Sequence, residues 1–171
     1  WFIKEIDGKL IFNNMYGKFT FPAPNLRGKH QIENAGMAIS ALQHLKIGEK
    51  EISVGLRNVN WPARLQLLKE GPLVELVKAQ CNNSELWLDG GHNVAAGQKI
   101  SETIRFLENR PIHLICGMMN NKDIFGFLKP FSKTISSLYG VKIPGQPQSF
   151  SQKEICETGK LLKIESYTAQ S

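Results

Sequence analysis

Leu86-Trp87-Leu88-Asp89-Gly90-Gly91-His92-Asn93 carries an apolar strand through a pair of glycines and into an amphipathic helix. In open α/β sheets, the space just beyond a strand's carboxyl end is where ligands bind. The glycines let the backbone turn tightly and approach a ligand closely. Asp89, His92 and Asn93 then offer a carboxylate, an imidazole and an amide within one short turn. Upstream, Trp61-Pro62-Ala63-Arg64-Leu65-Gln66 sets an arginine in an unusual Trp-Pro context. Together the two stretches suggest half of an active site for a charged, polar substrate.

Working outward, short apolar runs alternate with helical periodicity from residue 65 onward. Strands are expected at 65–68, 73–77, 85–89, 112–116, 136–141 and 163–167, and helices at about 95–109, 122–131 and 151–161. Strands alternating with helices in this way predict an α/β fold with a Rossmann-like, mostly parallel, doubly wound sheet. Residues 1–21 read differently, as an antiparallel meander. Phe2-Ile3-Lys4-Glu5-Ile6 and Lys9-Leu10-Ile11-Phe12 flank Asp7-Gly8, a favoured two-residue hairpin turn. A third strand, Lys18-Phe19-Thr20-Phe21, ends at Pro22 and Pro24. After a loop at 25–30, Ile32, Ala35, Gly36, Ile39, Leu42 and Leu45 mark a helix of about 15 residues. Ala35 and Gly36 make the first half of its face small, which predicts close packing. A shorter helix is expected at 49–57, and the boundary between the two regions at 61–64. The chain begins at Trp1 without a methionine, and Tyr167-Thr168-Ala169-Gln170-Ser171 look like a helix that starts and stops. On this reading it is an internal fragment whose second domain is truncated.

A hydrophobic content of 42% and a charged content of 21% are ordinary for a soluble globular protein. No apolar run approaches the roughly 20 residues that span a membrane. No signal peptide is visible, although a start without methionine leaves targeting open. Cys81, Cys116 and Cys156 are odd in number and form no C-x-x-C pair, which points to neither a zinc site nor a disulfide framework and suits the cytoplasm. Cys116, inside the apolar run 112–118, is expected to be a buried small hydrophobe. The net charge of +6 is spread over scattered lysines. It reads as a solvated surface without the basic stripe of a nucleic-acid binder, and a small anionic substrate fits it equally.

Taken singly, the polar residues have plain explanations. Asp89 could be a helix N-cap, His92 an incidental loop residue, Arg64 a surface ion-pair partner and Asn34 a tolerated helix residue. Four stretches in order change that. They are Gly28-Lys29-His30-Gln31-Ile32-Glu33-Asn34-Ala35, Trp61-Pro62-Ala63-Arg64-Leu65-Gln66, Leu88-Asp89-Gly90-Gly91-His92-Asn93 and Gly117-Met118-Met119-Asn120-Asn121-Lys122-Asp123. Together they resemble the folylpolyglutamate synthase and dihydrofolate synthase family of the Mur ligase superfamily.

The resemblance implies an ATP-dependent amide ligase, with a P-loop ATPase domain joined to a Rossmann-like domain. Residues 1–60 would be the tail of the first, and 65–171 most of the second, the glutamate-ligase domain. A pteroate or folate carboxylate would be activated as an acyl phosphate and then attacked by the amino group of L-glutamate. The substrates implied are L-glutamate and dihydropteroate or folate, with ATP and Mg2+ as cofactors and a monomeric, cytoplasmic enzyme that binds neither nucleic acid nor membrane. Asn34 matches the family's ATP-contacting asparagine, its amide suiting the edge of adenine. Arg64 matches an ATP-binding arginine with a phosphate-suited guanidinium, and Asp89 an acidic residue on the nucleotide that suits ribose hydroxyls. His92 matches a histidine beside the incoming glutamate, for which orientation is a better assignment than general-base catalysis. Lys122 and Asp123 match a motif on the next strand-end loop, where an ion pair or domain contact is expected.

The chain departs from the family's commonest motif by Gly91 in place of alanine and Val94 in place of proline. No G-x-x-x-x-G-K-[ST] loop occurs in it, so nothing here cradles the ATP phosphates in the family's way. The magnesium ligands, like that loop, would belong to upstream sequence; no metal ligand is assigned within the chain, which alone should not catalyse the ligation. A Mur-type peptidoglycan ligase is the nearest alternative, but Gly90 stands where its tyrosine is typical. A non-catalytic domain binding a nucleotide or amino acid is the other. A nicotinamide-binding domain fails for want of G-x-G-x-x-G.

Overall fold

Asp7 and Gly8 take positive φ (49° and 71°), the geometry that lets a two-residue turn follow the twist of a hairpin. They join β1 (Phe2–Ile6) to β2 (Lys9–Asn14), and a second tight turn leads to β3 (Gly17–Pro22), giving the expected antiparallel meander in the order β1-β2-β3. The computed structural model describes residues 1–105 and 110–169. It divides into two compact units, Trp1–Gly90 and Gly91–Ser171, so residues 61–64 lie inside the first.

In the first unit, alternation along β2 turns Leu10 and Phe12 inward, where they meet Phe21 of β3. Helices α1 (His30–His44) and α2 (Glu49–Asn58) close this core with Ala35, Ile39, Ile52 and Leu56. The small start of the α1 face has a definite reason. A Cβ on Gly36 would stand 2.6 Å from the Trp1 indole and 3.0 Å from Ile3, so only glycine lets the sheet edge come this close.

The rest of this unit departs from the expected parallel sheet. β4 (Gln66–Leu68) and β5 (Leu86–Leu88) pair antiparallel, with Leu67 opposite Trp87, in a ladder separate from the other sheets. Residues 73–77, expected as a strand, are helical within α3 (Pro72–Gln80). Pro72 sits in the first turn, where its missing N–H is harmless. A crossover helix has to bury an apolar stripe on its sheet. Among α3 residues only Val74 is buried, whereas Leu73 and Leu76 are 64% and 60% exposed, so α3 does not serve as one.

The second unit holds the parallel sheet, in the order β6 (His113–Cys116), β7 (Ser137–Gly140) and β8 (Ser166–Thr168). Its helices are α4 (Val94–Ile104), α5 (Ile124–Leu128) and α6 (Gln152–Leu161). Of the helix expected at 95–109, residues 106–109 lie outside the described residues. The helix expected at 122–131 starts only at Ile124, because Asp123 caps it by accepting from Gly126 N at 2.8 Å. It passes into a 3-10 turn at Lys129–Lys133, since Pro130 has no N–H to continue an α-helix. Tyr167 and Thr168 are strand, correcting the helix start expected there. Tyr167 is in register with Tyr139, and the rings stack at 5.3 Å. Gln170 and Ser171 lie outside the described residues. Ser151 and Glu154 form a reciprocal capping box at the start of α6. Among the described residues no helix is long and apolar enough to cross a membrane.

Cys116 is buried as expected, and burial pushes its thiol up to about 12. Cys81 is exposed, and hydrogen bonding, first from the Ser84 side chain and then from the Asn83 backbone, lowers its thiol. The thiolate is the reactive species. At pH 8, a disulfide reagent should therefore label Cys81 first, with Cys116 and the buried Cys156 reacting only on unfolding. Fast labelling of a second thiol, located by peptide mass, would contradict this. An unfolded thiol ionises near 8.5, so above that pH the unfolded chain has shed a proton that folded Cys116 retains. Its contribution to stability should accordingly fall as pH rises from about 9 towards 12.

Candidate functional site

Asn34, on α1, and Arg64, thirty residues later, line one cavity of about 530 Å³ in the first unit. Its remaining wall is mostly apolar, built from Ala38, Leu42 and Val59 among others, with His30 and Gln31 adding polar atoms from the first turn of α1. Both Asn34 and Arg64 are exposed, as residues that meet a ligand from solvent must be. The Arg64 guanidinium lies 5.9 Å from the centre of the Trp61 ring, also in the lining, which gives the planar cation a flat surface to rest on.

The arginine is carried on a strained turn. Ala63 and Leu65, on either side of it, both hold positive φ (56° and 41°), a conformation that costs a residue with a side chain roughly 1–2 kcal/mol. Two hydrogen bonds from the end of β5 hold the turn in place. Leu65 N donates to Asp89 Oδ2 at 2.7 Å, and Gly90 N donates to Ala63 O at 2.8 Å. Asp89 is half-buried and is not part of the cavity lining. It is also not the helix cap that its position allowed, because Asn93 caps α4 by accepting from Ala96 N at 2.8 Å. Asp89→Ala should therefore destabilise the chain by about 1.5–3 kcal/mol, the usual range for a hydrogen bond to a charged group. Asp89→Asn, which keeps an acceptor for Leu65 N, should restore part of it. Urea unfolding followed by tryptophan fluorescence tests this, and equal midpoints for Asp89→Ala and the parent would refute it.

His92 belongs to the second unit, where it is exposed and immediately precedes Asn93. Asp123 caps α5 through its carboxylate, accepting from Gly126 N, while Lys99–Glu102 and Lys153–Glu157 are ion pairs on α4 and α6. Among the described residues no group of three or more His, Cys, Asp or Glu side chains could hold a metal ion. Gln31 is the site residue that sequence reading passed over. It stands three positions before Asn34, on the same helix face, and that spacing was the available signal.

No family model matches the chain. It is 25% identical over 144 residues to the dihydrofolate synthetase of Saccharomyces cerevisiae, covering 78% of this chain and 32% of that protein. It is 27% identical over 150 residues to the folylpolyglutamate synthase of Lacticaseibacillus casei, covering 84% of this chain and 32% of that one. The chain is similar to folylpolyglutamate and dihydrofolate synthases. It spans about one third of the length of each of these two relatives. The folylpolyglutamate synthase structure from Mycobacterium tuberculosis, complexed with ADP and AMPPCP, shares the fold. It aligns with a TM-score of 0.78 at 17% identity, covering 99% of this chain and 37% of that one.

Proposed function

We propose that this chain is the nucleotide-reading part of an ATP-dependent ligase that joins L-glutamate to dihydropteroate, folates or both. The observation that carries the reading is that Asn34 and Arg64, far apart in sequence, share one cavity of about 530 Å³ with an apolar wall. An amide edge, an apolar slot and a guanidinium suit a base, its faces and a phosphate in turn. On this reading residues 1–60 close the ATPase domain, 61–64 form the boundary, and 65–171 supply most of the glutamate-ligase domain.

ATP supplies the phosphoryl group that turns a carboxylate into an acyl phosphate, releasing ADP. The glutamate nitrogen then attacks the acyl carbon, the amide forms as that nitrogen loses a proton, and phosphate leaves. Asn34 reads the base, Arg64 meets the phosphates, Asp89 holds the turn that presents Arg64, and His92 orients glutamate. Among the described residues no cluster of three or more His, Cys, Asp or Glu side chains stands ready to enclose a magnesium ion.

Titrating ADP into the 171-residue chain while following the Trp61 indole resonance tests the reading. A saturable shift is expected, weakened about tenfold or more by Arg64→Ala, the scale of one lost hydrogen bond to a charged group. Asn34→Ala should weaken it as well. A shift that never saturates, or that ignores both substitutions, would overturn the nucleotide assignment.

A further inference from the structure

Gln31 is 6% exposed, a depth at which a side-chain amide is normally kept only when hydrogen bonded. Its Oε1 accepts from Asn34 Nδ2 at 3.0 Å, and its Nε2 lies 2.8 Å from His30 Nε2. All three residues line the cavity. With the Gln31 amide nitrogen on this side, His30 Nε2 accepts from it in the tautomer that carries its proton on Nδ1. In that tautomer the roles along the chain of three follow. His30 fixes the amide of Gln31, and Gln31 Oε1 claims one of the two N–H groups of Asn34. Turning the Asn34 amide over would bring its oxygen against Gln31 Oε1, two acceptors with no proton between them.

We propose that Gln31, held by His30, is the positioning residue that makes this cavity select adenine over guanine, by fixing how the Asn34 amide faces. The proposal rests on the nucleotide reading above. Adenine presents the N6 donor beside the N7 acceptor, which an asparagine oxygen and one remaining N–H match in a single orientation. Guanine presents two acceptors, O6 and N7. With one N–H engaged by Gln31, Asn34 has only one left for them, and its oxygen faces a guanine acceptor unpaired. An Asn34 released from Gln31 could turn both N–H groups to guanine, and the preference would collapse.

The test is the ratio of ADP to GDP dissociation constants for the 171-residue chain, with Gln31→Leu and Gln31→Glu beside it. The parent should prefer ADP by about tenfold or more, the discrimination expected of one good bidentate base contact. Gln31→Leu should bring the ratio to within about threefold, a difference under 1 kcal/mol. Gln31→Glu, which keeps an acceptor for Asn34 Nδ2, should preserve the preference. A general folding defect would weaken both nucleotides together and leave the ratio standing, and that result sinks the proposal. Should Gln31→Leu lose its helical signal, His30→Phe removes the acceptor that fixes Gln31, and the same loss of preference is expected. A parent chain that binds neither nucleotide overturns the nucleotide reading and this inference with it. A parent that prefers ADP as strongly after Gln31→Leu overturns only the role of Gln31.

Discussion

Phe131→Ala should destabilise the second unit by about 3–5 kcal/mol, the range for emptying a buried aromatic site. Phe131 is fully buried, its ring is 5.5 Å from that of Phe127, and its carbonyl accepts from both Thr134 and Ile135. It therefore anchors the 3-10 turn at both ends, side chain inward and backbone outward, and the surrounding backbone has little freedom to collapse onto the space. Amide exchange in β7 and α6 is the measurement, since it reports the second unit residue by residue. All three tryptophans, Trp1, Trp61 and Trp87, lie in the first unit and would miss it. A change below about 1 kcal/mol, the level of an ordinary surface substitution or a little more, would show that the site repacks.

Gly97→Ala is the second large effect, and its sign is the point of interest. Alanine is favoured over glycine inside a helix by about 1 kcal/mol, so propensity alone predicts a gain. Space predicts the reverse. A Cβ at Gly97 would overlap the carbonyl oxygen of Phe127 and stand 3.1 Å from its Cα and carbonyl carbon, and none of these is a flexible side-chain end that could swing away. Helices α4 and α5 would have to part, and overpacking of this kind typically loses about 1–3 kcal/mol. Nearby, Ser101 Oγ donates to Pro130 O at 2.8 Å, so parting the seam strains a buried hydrogen bond as well. Gly55→Ala, in α2, is the matched control. Nothing lies within 4 Å of its Cβ, so there the helix preference should win and the chain gain about 0.5–1 kcal/mol. Opposite shifts in melting temperature for the two substitutions are the expected result. A gain from both would mean that the α4–α5 seam can widen freely.

Parts of the fold could be read in advance where the deciding signal is local. The meander was legible because Asp7-Gly8 can supply the positive φ of the turn and because β2 alternates, both within a few residues. Helices α1, α2 and α6 were legible from periodicity, and the β6–β8 strands from apolar runs spaced by helices. Residues 73–77 misled because Leu73-Val74-Glu75-Leu76-Val77 suits either state. What separates the states there is the pair Gly71-Pro72, with Gly71 at φ 109° and Pro72 opening α3. The candidate site divides in the same way. Asn34, Arg64, Asp89 and His92 were picked out by motif, but the motif is silent about the buried relay through Gln31 and about Asp89 tying down the turn after Arg64.

By itself the sequence determined what is settled within a turn or two of chain: where the backbone reverses, which face of each helix is apolar, and which polar residues stand beside a strand end. The tertiary structure decided which strands pair, in which direction, and which distant side chains share a cavity. Backbone ladders are chemically alike for every sequence, so β4 could have met any neighbour. It meets β5 in antiparallel register, and α3, which buries only Val74 of its apolar residues, is not a crossover between them; that balance is struck over the whole unit rather than in any one stretch of it.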